Sequence, residues 1–194
     1  MKTDIILSGV GGQGILSIAA AIGEAALKEG LYMKQAEVHG MSQRGGDVQS
    51  NLRLSDRPIA SDLIPLGHAD LIISLEPMES LRYLPYLNKE GWLVTNSQPF
   101  INIPNYPDLE KVKAELDKLP HKVVLDVEAI AKEAGSMRAA NIVMLGAATP
   151  FLGIEYEKIE DGVRSIFARK GEEIVAMNLK ALKAGYELAQ KHNQ

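Results

Sequence analysis

Two glycine-bearing segments hold the residues whose types and spacing suit chemistry. Gly9-Val10-Gly11-Gly12-Gln13-Gly14 has the spacing of a dinucleotide-binding loop, and Gly40-Met41-Ser42-Gln43-Arg44-Gly45-Gly46 follows roughly thirty residues later. In the first segment, Gly11, Gly12 and Gly14 lack the side-chain bulk that keeps a pyrophosphate off the backbone. The helix that follows would present its first-turn amides to an anion, with Gln13 beside them. In the second, Ser42 and Gln43 are polar, and Arg44 offers a fork suited to phosphate or carboxylate. Glu37 stands where a ribose-binding acid would stand, and Glu76 lies at the carboxyl end of a predicted strand, where open α/β sheets bind ligands.

Each of these features also has a plain structural reading. The first segment reads equally as a tight strand-to-helix turn, the second as a solvated hairpin tip, and Glu76 as a cap on the helix it precedes. His39, His68, His121 and His192 form no metal-ligand spacing. No serine–histidine–acid set stands out from chain order. The residues therefore assign no catalytic group and no metal ligand to this chain.

Those loops need elements to position them. Ile5 to Val10 is a short, continuously apolar run that predicts a buried strand. Ile15 to Glu29 predicts a helix, with Gly30 closing it. Tyr32 to Val38 predicts the second strand, and Asp47 to Leu54 alternates like a strand solvated on one side. Only His39 to Gly46 connects them, too short for the dozen or more residues of a parallel crossover. These two strands should form an antiparallel hairpin, where a standard nucleotide-binding half would place a helix. Further strands are predicted at Ala69 to Leu75, Gly91 to Asn96 and Val123 to Val127, with helices at Met78 to Leu87 and Asp108 to Leu119. Val127 to Ala134, Ala139 to Thr149, Tyr156 to Arg169 and Glu172 to His192 predict a helical C-terminal region. The fold class is α/β: a three-layer α/β/α domain spanning 1–194, its mostly parallel sheet containing an antiparallel hairpin.

Composition narrows the partners. The chain has 194 residues, a formal net charge of −4 and no cysteine. An acidic balance without a basic face argues against nucleic-acid binding. Without cysteine there can be no disulfide and no thiolate-held iron–sulfur cluster on this polypeptide. The N-terminus lacks a signal peptide's apolar core, and the longest apolar stretch, 139–154, falls short of a membrane span. A cytoplasmic protein without membrane attachment is expected. Ile142-Val143-Met144-Leu145 is expected to be core rather than a partner surface.

The tandem of 9–14 with Glu37-Val38-His39-Gly40-Met41-Ser42-Gln43-Arg44-Gly45-Gly46 resembles the paired signatures of the gamma-type domain of 2-oxoacid:ferredoxin oxidoreductases. Leu63-Ile64-Pro65, Gly67-x-Ala69-Asp70, Leu75-Glu76-Pro77-Met78-Glu79, 81–87 and 178–185 extend the resemblance over nearly the whole chain. Within that family it is most similar to the small (beta) subunit of the indolepyruvate type. The resemblance implies oxidative decarboxylation of a 2-oxoacid on thiamine diphosphate, acyl transfer to coenzyme A, and electron transfer through iron–sulfur clusters to ferredoxin. It implies a large partner subunit holding the thiamine cofactor, its magnesium and the clusters, so that this chain alone is inactive. It also implies that Gly11, Gly12, Gln13 and Gly14, with Ser42, Gln43, Arg44 and Glu76, line a shared site at the subunit interface. Two other readings stay open: a free-standing NAD(P)-binding oxidoreductase, and a scaffold subunit contributing nothing to the chemistry. The 2-oxoacid and the stoichiometry are not written in the residues.

Overall fold

The sheet is built around β1 (Lys2–Val10), in which every residue after Lys2 is buried. In the computed structural model, which describes residues 1–39, 45–101 and 103–192, it is joined by five more strands. These are β2 (Tyr32–His39), β3 (Asp47–Ser55), β4 (Ala69–Ser74), β5 (Leu87–Asn96) and β6 (Lys122–Leu125). The spatial order is β2-β3-β1-β4-β5-β6. β1, β4, β5 and β6 run parallel, and β3 runs antiparallel to both its neighbours. The expected hairpin is present, and β3 rather than β2 takes the place beside β1. Leu52 and Leu54 on β3 are fully buried, whereas Tyr32 and Val38 on β2 are 51% and 58% exposed. The strand with the richer apolar face sits inside, and the more polar β2 forms the edge.

Among the described residues, seven α-helices cover the sheet. They are α1 (Ile15–Lys28), α2 (Pro77–Arg82), α3 (Leu109–Asp117), α4 (Val127–Ala134), α5 (Ala140–Ala148), α6 (Tyr156–Phe167) and α7 (Glu172–His192). α1 and α4–α7 pack on the face carrying Ile5, Leu7, Leu52, Leu71, Ile73 and Val94. Only α2 and α3 cover the other, above Ile6, Ile72 and Leu93. The layers are unequal because all four helices after β6 return to one side.

α5 is the centre of the thick layer. Residues 141–148 are all buried, which places Ile142-Val143-Met144-Leu145 in the core, each with no exposed surface. α7 crosses α5 backbone to backbone. A β-carbon at Gly185 would lie 2.0 Å from the Val143 carbonyl oxygen, and one at Gly146 would lie 2.0 Å from that of Leu182. Such proximity is open only to glycine at the crossing.

Helix ends follow local chemistry. At the end of α1, Gly30 adopts φ 69°, its amide donates to Leu27 O at 3.1 Å, and the Leu31 amide donates to Ala26 O at 2.9 Å. This is the paired capping arrangement that a left-handed residue permits. The region 77–96 departs from expectation. Instead of a helix from Met78 to Leu87, α2 stops at Arg82, a 3-10 turn covers Leu84–Tyr86, and β5 begins at Leu87 rather than Gly91. Pro85 lacks the amide that another α-helical turn would need. No helix among the described residues is long and apolar enough to cross a membrane.

Candidate functional site

The glycine turn after β1 and the return of the hairpin are hydrogen-bonded to each other. β1 and β3 pair without a break from Lys2↔Ser55 to Val10↔Asp47. Beyond the ladder, the Gly11 amide donates to Gly46 O at 2.9 Å and the Gly45 amide to Gly11 O at 3.5 Å. Gly45 and Gly46 therefore stand with the first glycine segment at the edge where the parallel strands end. Ser42, Gln43 and Arg44 lie outside the described residues. The connection that holds them leaves β2 after His39 and rejoins at Gly45, against the glycine turn.

Within that turn the four expected ligand contacts have different surroundings. Gly12 is exposed, and Gly11 and Gly14 are half-buried. Gln13 folds back into its own chain: its Oε1 accepts from the Val10 amide at 2.7 Å and its Nε2 donates to Leu75 O at 3.0 Å. The side chain thus pins the turn to the end of β4. Gly14 has φ 88° and ψ 28°, the left-handed region, immediately before α1. Its carbonyl accepts from Asn141 Nδ2 at 3.1 Å. A β-carbon there would lie 2.6 Å from that nitrogen. Asn141 belongs to the first turn of α5, so the starts of α1 and α5 meet at this point. The first turn of α1 carries no acidic side chain, which leaves the positive end of its dipole uncompensated by the helix itself.

Glu76 is completely buried and caps α2. It accepts from the Glu79 amide at 2.8 Å, from the Phe100 amide at 3.3 Å, and from the Tyr106 hydroxyl. Its carboxylate thereby ties down a strap, residues 97–101 and 103–107, that follows β5. The Tyr106 hydroxyl is pushed well above the ordinary tyrosine range by burial, then by its hydrogen bond to Glu76. It stays protonated and donates.

A second polar group escaped sequence reasoning. Asp47, at the start of β3, lies against α2, where Tyr83 Oη donates to Asp47 Oδ2 at 3.4 Å. Glu79 pairs with Arg82 Nε at 2.8 Å. Burial raises the Glu79 carboxyl against the opposing pull of Arg82, and burial with the neighbouring Asp47 charge raises Tyr83 to about 12. Asn96, at the end of β5, donates to both oxygens of Glu128 at 3.2 and 3.0 Å. Apart from Glu79 and Arg82, three residues apart at the same helix, no local spacing announces these pairings. The residues of the Tyr83–Asp47 pair are 36 positions apart, and those of the Asn141–Gly14 bond 127.

The described edge supplies backbone amides, an exposed glycine and side chains already held by their own chain. His121 stacks on Trp92, ring centroids 5.2 Å apart, well away from the glycine turn in the chain's topology. Among the described residues no group of three or more His, Cys, Asp or Glu side chains could hold a metal ion. Such an arrangement can position a bound group or a neighbouring protein.

Comparison with known proteins adds family evidence. Residues 4–188 match the model of the pyruvate ferredoxin/flavodoxin oxidoreductase family. The chain is 38% identical to indolepyruvate oxidoreductase subunit IorB of Archaeoglobus fulgidus, covering 97% of this chain and 96% of that protein. It is 30% identical to ketoisovalerate oxidoreductase subunit VorA of Methanothermobacter marburgensis, covering 96% of this chain but 36% of that longer one. Among solved structures, the gamma subunit of a keto/oxoacid ferredoxin oxidoreductase from Geobacter sulfurreducens matches with a TM-score of 0.75 and 26% identity, covering 98% of both chains.

Proposed function

The chain belongs to the pyruvate ferredoxin/flavodoxin oxidoreductase family, and on that premise we propose that it is the small subunit of a cytoplasmic arylpyruvate-type 2-oxoacid:ferredoxin oxidoreductase. In this reading a large partner subunit carries thiamine diphosphate, magnesium and the iron–sulfur clusters, and coenzyme A enters between the two. The thiamine ylid supplies the nucleophile and electron sink, and this chain supplies placement. The exposed Gly12, the first-turn amides of α1 and Arg44 receive the negatively charged groups of coenzyme A. Gln13 and Glu76 hold the turn and the strap in position around them. The near-complete two-way coverage by a relative named as an indolepyruvate oxidoreductase subunit supports the aryl substrate.

The observation that carries this reading is the pair of backbone bonds between Gly11 and Gly45–Gly46. It brings the end of the second signature, Gly45 and Gly46, onto the glycine turn, which supports a shared site. The test is steady-state kinetics of the assembled complex carrying Arg44→Ala or Gln43→Ala. A rise of about tenfold or more in KM for coenzyme A is expected, with little change in KM for the 2-oxoacid. Unchanged KM for coenzyme A would remove the ligand-contact role.

A second reading, the scaffold subunit, draws support from Gln13 and Glu76, whose polar atoms are engaged within this chain. It expects those same variants to leave turnover intact. The free-standing NAD(P) reading is disfavoured by β3. Because that strand separates β1 from β2, Glu37 stands roughly a strand spacing, about 4.8 Å, further from the glycine turn than in an ordinary dinucleotide unit. Calorimetric titration of the isolated chain with NADH or NADPH is expected to show no binding.

A further inference from the structure

The exposed apolar side chains are distributed unevenly. At the edge where the parallel strands begin stand Met1, Leu27, Tyr32, Leu63 and Leu66, dispersed over separate segments. At the opposite edge Leu16, Val38 and Met137 are likewise scattered, but Phe100, Ile101, Ile103 and Leu109 fall within ten residues of chain, 44%, 66%, 36% and 45% exposed. Three of them ride on the strap that Glu76 and Tyr106 hold in place. Single exposed apolar residues need no explanation, but a run of large ones on a tethered segment marks a surface that is covered in use.

Beside that run is a cavity of about 400 Å³ between α3 and β6. Its floor is apolar, formed by Val112, Leu116 and Val124 with Pro99 and Leu109 at one side, and Glu110 and Lys113 stand at its rim. An apolar floor inside a charged rim is the anatomy of an interface core that takes an anchoring side chain. Leu109 belongs to both the run and the cavity wall, so the two form one feature.

The occupant follows from how relatives carry this domain. The homologous ketoisovalerate subunit contains this whole domain within a polypeptide of which it makes up 36%. The relative named as an indolepyruvate oxidoreductase subunit matches this chain over 96% of its own length, so there the same domain is a separate subunit, held to its complex by contact. We propose that the larger subunit of the complex docks across Phe100, Ile101, Ile103 and α3, placing an apolar anchor side chain in the cavity between α3 and β6. The proposal rests on the subunit reading above and adds the face on which the subunit is held.

Affinity for the larger subunit encoded in the same genome tests it, read by sedimentation or biolayer interferometry with purified full-length chains. Ile101→Asp with Leu109→Asp is expected to weaken binding about thirtyfold or more, since few residues carry most of an interface's affinity. Lys113→Trp, which alters only an exposed rim residue, is expected to lay an indole over the cavity mouth and weaken binding about tenfold. Leu63→Asp with Leu66→Asp, at the other edge, is expected to stay within threefold. Circular dichroism confirms that each variant is folded. If the strap and rim variants bind within threefold of wild type, or the Leu63 and Leu66 pair is the damaging one, the assigned face is wrong although the subunit reading stands. If the wild-type chain itself shows no affinity for the larger subunit, both fall.

Discussion

Replacing Gly14 by alanine tests whether the glycine turn is held by α5. The new β-carbon would lie 2.6 Å from Asn141 Nδ2 and 3.2 Å from its Cγ. The asparagine would have to withdraw, ending its 3.1 Å bond to the Gly14 carbonyl. Losing that bond costs about 1 kcal/mol. Holding alanine at φ 88° costs a further 1–2 kcal/mol, roughly. Gly14→Ala should therefore destabilise the chain by about 2–3 kcal/mol. In an Asn141→Ala background both the bond and the clash are already gone, so only the backbone strain remains, about 1–2 kcal/mol. Urea unfolding of the four proteins, analysed as a double-mutant cycle, measures the difference. A coupling of about 1 kcal/mol is expected. If Gly14→Ala costs the same in both backgrounds, the turn is not packed on Asn141 and the meeting of α1 with α5 is misjudged.

Gly185→Ala forces a β-carbon toward the Val143 backbone and should cost about 2–3 kcal/mol as overpacking, lowering the melting temperature by roughly 4–12 °C. Gly23→Ala meets only the flexible end of Met33, gains about 1 kcal/mol of helix propensity, and should leave the melting temperature nearly unchanged; the reverse ranking would contradict the crossing of α5 and α7. Burial raises the Asp4 carboxyl, but hydrogen bonds from Arg53 and Lys2, with their charges, outweigh it and hold Asp4 below the ordinary aspartate value. Its stabilising contribution is thus complete above about pH 3.9 and lost as pH falls through the lowered folded value. Asp4→Asn should cost about 3 kcal/mol at pH 7 by stranding Arg53, with the gap to wild type closing toward pH 2, and a gap independent of pH would refute the pairing. Tyr106→Phe removes a donor to the buried Glu76 carboxylate, so amide exchange across 97–107 should accelerate about tenfold or more, equivalent to at least 1.4 kcal/mol of local stability; unchanged protection would show that the strap is held by other contacts.

Local pattern carried most of the architecture. Apolar runs announced β1 and β4, the spacing of Ile15, Ile18 and Ile22 announced α1, and the short link between His39 and Gly46 implied a hairpin. The four helices after β6 follow their expected spans closely. Strand order was less legible, because the hairpin argument fixes pairing between β2 and β3 but not which of them adjoins β1. The early stop of α2 was signalled by Pro85, yet the strand that replaces the last helical turn depends on β4 lying beside it. In the site, the two glycine segments were visible as motifs, and their hydrogen bonding depends on β3 pairing with β1. The roles of Gln13 and Asn141 were not legible at all. An amide side chain's partners are chosen by what the fold brings within 3 Å or so, and sequence spacing carries no trace of it.

The placement of β3 has a consequence for how such a surface diversifies. Chain that departs from β2 after His39 and re-enters at Gly45 crosses the same rim of the sheet twice, so its two anchors stay fixed whatever lies between them. Lengthening a tether whose ends are already fixed is cheap, about 0.6 kcal/mol per doubling. The eight paired positions of β2 with β3 and the nine of β3 with β1 would be untouched by such a change. Residue insertions or deletions in that segment would change the chemistry offered at the rim while leaving the folding unit as it is.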